Sequence, residues 1–197
     1  MQCIVAADCE VEVRSYSILG GARCRTSWSG YVKLNGVAVW QASFCGNYPQ
    51  RRGVNILLIN PFTCSRLESR NFDTCVSASA GRLMGNYVRD ANYGVVIAGV
   101  TADEPASYLR FGVSALRQLG VNVADVRWRG SFAFVAQKGY PSKTVFDKVL
   151  SERASSSEPA QLHVTIEGTQ TLCGKCDNAL YAYQGWEINS SKNCKTL

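Results

Sequence analysis

Gly53-Val54-Asn55-Ile56-Leu57-Leu58-Ile59-Asn60-Pro61 and, further on, Val95-Val96-Ile97-Ala98-Gly99-Val100 decide what kind of molecule this chain makes. Both are short, nearly continuous apolar runs, the pattern of strands covered on both faces. Around them the punctuation is equally direct. In Tyr31-Val32-Lys33-Leu34-Asn35-Gly36-Val37-Ala38-Val39-Trp40 the Asn-Gly pair supplies the two positive-φ positions of a tight turn, which predicts a hairpin. Leu162 to Ile166 alternates and predicts a late strand. Three short helices are expected. One covers Arg82 to Arg89, with Leu83, Tyr87, Met84 and Val88 spaced for one side. A second opens near Pro105 and ends before Gly120, with Leu109, Val113, Leu116 and Leu119 on one face. A third covers Lys143 to Leu150, with Val145, Phe146, Val149 and Leu150 inward. Thr101 and Glu104 have capping-box spacing, and Asp103 is itself placed to cap the second helix. Strands alternating with helices permit a parallel, doubly wound sheet. The hairpin at one end and the late strand at the other favour a mixed α+β fold instead.

At 197 residues the chain fills one sizeable core, and a second full domain would be cramped. The body is expected over residues 1–170, with a cysteine-bearing extension over 171–197 stapled onto it; Glu152 to Pro159 is a polar, Ser-rich loop. No apolar run approaches the roughly 20 residues that span a bilayer. Met1-Gln2-Cys3-Ile4 carries no basic-then-apolar signal pattern, so any secretion signal is removed or was never there. The net charge is +6, but Lys and Arg are scattered, with no basic block or RNA-binding signature, and no nucleic-acid partner is expected. The nine cysteines (Cys3, Cys9, Cys24, Cys45, Cys64, Cys75, Cys173, Cys176 and Cys194) point to an oxidising compartment and a disulfide-stapled fold. Nine is odd, so one thiol is either free or joins two chains. The sequon Asn189-Ser190-Ser191 is compatible with secretion.

One further stretch carries chemistry. Arg127-Trp128-Arg129-Gly130 sets an indole between two guanidinium groups beside the apolar run Phe132-Ala133-Phe134-Val135, itself a predicted strand. Flat rings and forked donors held at a strand end are what a sugar or another polar ligand requires. The alternative is a solvated strand end in which an arginine packs on the tryptophan.

Gly53 to Pro61, Phe72-Asp73-Thr74, the Asp103-Glu104 helix start, Leu119-Gly120, Trp128-Arg129, Phe132 to Val135 and Lys138-Gly139 come in one order. That order, over roughly Cys9 to Gly168, resembles the domain of the interleukin-like EMT inducer family of secreted cytokine-like proteins. It is similar, more closely still, to the carbohydrate-binding stem domain of protein O-mannose N-acetylglucosaminyltransferase. The resemblance implies a compact α+β fold of two β-sheets flanked by short helices, secreted or lumenal. It also implies binding of N-acetylglucosamine-type glycans through an acid at the helix start and an arginine after a tryptophan, which fall on Asp103 and Arg129, with Trp128 before the arginine. This chain departs from the family at Gly130 and Phe132, where Asp and Trp are preferred, so the acidic neighbour of the arginine is missing. By the same analogy Cys3 pairs with Cys24, and Cys9 with a C-terminal cysteine such as Cys173. Local loops closed by Cys64–Cys75 and Cys176–Cys194 then leave Cys45 as the interchain candidate in a disulfide-linked homo-oligomer.

A carboxylate such as Asp103 accepts from two hydroxyls, Arg129 donates to oxygen in a fixed fork, and Trp128 covers an apolar sugar face. The other reading of Asp103 is a helix cap, and of Arg129 an ion pair with Asp125 or Asp103. For an enzyme the chain offers one histidine, His163, in an alternating segment, with no nucleophile–base arrangement and no phosphate loop. Cys173-Gly174-Lys175-Cys176 has redox-motif spacing but lacks the strand-then-helix setting. Zinc held by Cys173, Cys176, Cys194 and His163 is permitted by ligand type. No calcium loop is present, and no cofactor or metal is expected. The expectation is a non-catalytic, secreted lectin whose partners are glycans ending in N-acetylglucosamine; a cytokine-like ligand for a protein receptor is the alternative.

Overall fold

The computed structural model describes residues 4–5, 8–15, 29–43, 51–149, 159–167 and 171–172. In chain order the strands are β1 (Ile4–Val5), β2 (Cys9–Arg14), β3 (Ser29–Leu34), β4 (Val37–Ser43), β5 (Gly53–Asn60) and β6 (Ser65–Phe72). Helix α1 (Ala78–Asp90) and β7 (Val96–Ala102) follow, then a single 3-10 turn (Leu109–Phe111) leading into α2 (Val113–Gln118). The chain continues through β8 (Ser131–Gln137), β9 (Tyr140–Val149), β10 (Gln161–Ile166) and β11 (Thr171–Leu172). One sheet has the order β6-β5-β7-β8-β9, a second β10-β2-β3-β4, and β1 pairs with β11; every pairing is antiparallel.

The two apolar runs are β5 and β7, the middle of the five-stranded sheet, and they are covered on both faces. Leu57, Ile59, Val96, Ala98, Val100, Ala133 and Val135 meet Val11, Val13, Val32, Leu34 and Trp40 of the four-stranded sheet. On the opposite face Val54, Ile56, Ile97, Phe132 and Phe134 meet Met84 and Val88 of α1 and Leu109, Val113, Leu116 and Leu119. The result is three layers: sheet, sheet, helices. Burial on both faces does not require parallel strands, and here it is achieved by an antiparallel sheet, which removes the doubly wound alternative.

Gly99 marks the tightest point of the helix-side core. It sits opposite Phe134 in the β7–β8 ladder, and a Cβ there would lie 1.9 Å from the phenylalanine ring. That ring in turn stacks on Phe132 at a centroid distance of 6.3 Å. At one end of the sheets a buried polar hub joins them. The Ser15 hydroxyl donates to the Phe132 carbonyl and accepts from the Thr101 N–H, and the Thr101 hydroxyl accepts from the Phe132 N–H.

The expected hairpin is β3–β4, with Asn35 at φ 47° and Gly36 at φ 78°. Asn35 also ties the tip to β2, donating its N–H to Glu10 and accepting the Glu10 N–H through its side chain, both at 2.9 Å. Helix α1 is longer than expected and starts on a Ser77 N-cap; Met84 and Val88 are buried, whereas Leu83 faces solvent. The second helix starts late: Asp103 caps nothing, and α2 begins only at Val113 behind Gly112, which gives no side-chain cap. Its expected face is nevertheless right, since Leu109, Val113, Leu116 and Leu119 are all buried.

The third helix does not exist. Lys143 to Val149 lies in β9, an edge strand paired with β8 through Val135↔Val145, Phe134↔Phe146 and Ala133↔Asp147. The stretch is rich in β-branched residues and has no cap. Gly139, at φ 88°, lies in the turn that folds it back onto the open edge of β8. The disulfides also need correction. Cys9 pairs with Cys64 and not with Cys173 or another C-terminal cysteine, and Cys75 is a free thiol, so the Cys64–Cys75 loop is not formed. The bridge joins the start of β2 to the β5–β6 turn and so fastens one sheet to the other. Cys3, Cys24, Cys45, Cys173, Cys176 and Cys194 lie outside the described residues, as does most of the 171–197 extension.

Gly99→Ala is expected to lower stability by about 1–3 kcal/mol, because the added methyl must displace Phe134 from a filled core. The urea midpoint reads this. An unchanged midpoint would show that the ring has somewhere else to go.

Candidate functional site

Strand register assembles one rim of the five-stranded sheet. Gly53 pairs with Ala102, and Val54 with Phe72. The next residues outward are therefore Arg52, Asp103 and Asp73, and the approach to β8 brings Arg129 and Gly130 beside them. The strands bring their ends close: a Cβ on Gly53, which has φ 92°, would lie 2.3 Å from the Phe72 carbonyl. This proximity lets Arg52 grip Asp73 with both prongs, at 2.9 Å from Nη2 and 3.1 Å from Nε.

Asp103 and Arg129 both hold left-handed backbone, at φ 60° each. For residues with a Cβ this costs roughly 1–2 kcal/mol apiece, so something must hold them there. Glu104 does much of that. It is only 4% exposed, and its carboxylate accepts from the N–H groups of Ala106, at 2.7 Å, and of Arg129. Thr74 secures the same loop, its hydroxyl donating to the Pro105 carbonyl at 2.7 Å and its carbonyl accepting from the Tyr108 N–H. Burial pushes the Glu104 carboxyl up, against the pull of the backbone donors of Arg129, Ala106 and Ser107. Asp103 is also raised, by burial first and by Asp73 last, while the guanidinium groups of Arg52 and Arg129 oppose the shift.

Trp128 is 51% exposed, and the Arg129 guanidinium lies 4.1 Å from the centroid of its ring. The structure thus brings Asp103, Arg129 and Trp128 to one rim, with the arginine stacked on the indole. The alternative pairing of Arg129 with Asp125 is not made; Asp125 binds Lys148 at 2.7 Å instead. Phe132, where the family prefers Trp, is a fully buried core ring. The acid next to Arg129 is supplied through space by Glu104, and it holds the backbone N–H.

Glu104 and the Arg52–Asp73 pair carry no signature of a site in the sequence. Glu104 had a capping-box role that its partners now exclude, and the Arg52–Asp73 contact depends on strand register. Cys75 sits beside the same group. Its N–H donates to Asp73 at 3.2 Å, and burial raises its thiol against the pull of Arg52. His163 lies away from the rim, exposed on β10 opposite Glu12 in the other sheet. Among the described residues no group of three or more His, Cys, Asp or Glu is arranged to hold a metal ion. A groove of about 550 Å³ opens elsewhere, between β6 and α1, lined by Leu58, Phe72, Leu83 and Tyr87, and includes none of Asp103, Trp128 or Arg129.

Residues 52–140 match the family model described as interleukin-like EMT inducer. This stretch runs from Arg52 through the rim to the start of β9, and is shorter than the Cys9 to Gly168 expected from motif order. A mouse protein, protein FAM3A, is 30% identical over 99 residues, which are 49% of this chain and 42% of that protein. The chain therefore spans less than half the length of this relative.

Asp103 and Glu104 have folded-state values above their ordinary ones. The stability they contribute is complete below the ordinary carboxylate value and is lost as pH rises through the raised one. Asp103→Asn removes one such loss, and asparagine tolerates left-handed backbone. Its melting temperature relative to the parent is expected to rise from acid towards neutral pH and to equal or exceed the parent's at pH 7. A variant less stable at pH 7 than at pH 4, relative to the parent, would contradict the assignment.

Proposed function

We propose that this chain, which carries an interleukin-like EMT inducer domain across residues 52–140, binds N-acetylglucosamine-type glycans without catalysis through Asp103, Arg129 and Trp128. The observation that supports the reading is the convergence of these side chains on one rim, two of them on left-handed backbone fixed by a buried carboxylate. Such a rim presents an acceptor for sugar hydroxyls, a forked donor and an apolar ring without reorganisation at binding. The Cys9–Cys64 bridge supports a secreted protein, since such bonds persist in oxidising compartments. No helix among the described residues is long and apolar enough to cross a membrane.

A single shallow site of this kind binds in roughly the millimolar to tens-of-micromolar range. A disulfide-linked pair through Cys45 would raise that by avidity. Parity alone no longer selects Cys45, because the free thiol of Cys75 accounts for the odd cysteine and the remaining six are even in number. The second reading, a cytokine-like ligand for a protein receptor, is favoured by the description of the matched family. In that case Trp128 meets protein, and free sugar does not compete.

A glycan array on the parent, Asp103→Asn and Arg129→Gly separates the two. Both substitutions suit the backbone at their positions, so folding is kept. Selective binding to terminal N-acetylglucosamine is expected, weakened about 10-fold or more in each variant, as loss of a charge-assisted hydrogen bond implies. Binding by the parent also falls on acidification through the raised value of Asp103. A blank array with folded parent would reject the lectin reading and leave the receptor ligand.

A further inference from the structure

The helical layer has a surface that the rim does not use. Along α1, Arg82, Asn86 and Arg89 are exposed; along Leu109–Gln118, Arg110, Ser114 and Arg117 are exposed. Both stripes read arginine, small polar residue, arginine, at spacings of four and three. Between the arginines of one stripe a helical rise covers about 10 Å. The stripes lie side by side because α1 meets the second segment through glycines. A Cβ at Gly81 would lie 2.4 Å from the Tyr108 carbonyl, and one at Gly112 would lie 2.2 Å from the Met84 methyl.

At that crossing the guanidinium groups converge. Those of Arg82 and Arg110 lie 4.7 Å and 5.0 Å from the centroid of the same ring, Phe111. Arg89 reaches the same notch: its Nη1 is 3.6 Å from the point where a Gly85 Cβ would stand, and the Phe111 carbonyl is 3.7 Å from it. Tyr108 backs the ring at 6.3 Å. Among the described residues no carboxylate pairs with Arg82, Arg110 or Arg117, and the acid on these two segments is Asp90, at the far end of α1. Like charges gathered on one aromatic ring without counter-charge repel each other, and an anion spanning them relieves that repulsion.

We infer that this face binds a linear sulfated polysaccharide. Guanidinium forks match sulfate oxygens in pairs. Asn86, whose Oδ1 accepts from Arg89 Nη2, keeps its amide N–H groups, and Ser114 its hydroxyl, for sugar oxygens between them. The stripes lack the run of large apolar residues with which a helix enters a lipid surface. The choice of polyanion rests on the reading of the chain as secreted, which the Cys9–Cys64 bridge supports: outside the cell the abundant linear polyanions are sulfated glycans rather than nucleic acids. The site shares none of its arginines with the rim, and Asp103→Asn changes none of the residues that form it.

The test is salt-dependent binding of the full chain to heparin, with the double variant Arg82→Gln/Arg110→Gln. A charge-matched control, Arg14→Gln/Lys143→Gln, changes the small sheet and β9 instead. The parent is expected to be retained at physiological ionic strength. The stripe variant should lose about 10-fold or more in affinity, with a log–log salt slope smaller by about two units, one for each contact removed. The control should change by less than threefold. Flow-through of the parent, or equal loss in the control, would overturn the site. Binding to phosphatidylserine vesicles without binding to heparin would overturn the assignment of the partner. Circular dichroism on both variants shows that the helical layer is kept.

Discussion

Three strands that must hide both faces at once set everything else in this molecule. β5, β7 and β8 are apolar almost without interruption, so neither face of the sheet's three central strands tolerates water. The small sheet covers one side, and α1 and α2 cover the other. That requirement explains Gly99, which yields its side-chain volume to Phe134. It also explains the Ser15–Thr101–Phe132 hub, which satisfies backbone groups where the layers meet. The Cys9–Cys64 bridge reinforces the same interface covalently.

The rim follows from the sheet. Where the central strands end together, their next residues are forced into close quarters, and the backbone turns through left-handed conformations at Asp103 and Arg129. These costs are offset by a buried carboxylate, Glu104, that spends its acceptors on backbone rather than on solvent or a helix cap. Positions held this firmly present their side chains without further ordering. Asp103 is half-buried and feels the charges of Arg52, Arg129 and Asp73, so its charge state is linked to that of the rim as a whole. The helix side answers a different constraint: glycine contacts allow two short segments to cross closely, and their outward arginines are crowded as a result.

Local chemistry was legible in the chain wherever one residue type dictates the backbone. Asn35-Gly36 names its turn, and continuous apolar runs name buried strands whatever their direction. What depended on distant partners was not legible. β9 looks helical over the few residues from Lys143, and only the open edge of β8 makes it a strand. β6 leaves no strand signature in the sequence, because Ser65–Phe72 lies at an edge, mostly exposed, and shows no apolar period. Cysteine pairing was not legible either, since Cys9 and Cys64 are 55 residues apart and meet only once the sheets stack. Of the candidate site, Asp103, Trp128 and Arg129 came from motif order and do share a rim. Glu104 and Arg52–Asp73, which hold that rim in place, required the register.

The most direct measurement is a backbone and indole NMR titration of the full chain with an oligosaccharide ending in N-acetylglucosamine. Shifts confined to Arg52, Asp103, Arg129 and the Trp128 indole, saturating together, are the predicted result. Shifts centred on the groove between β6 and α1, or none at saturating sugar, would contradict the account.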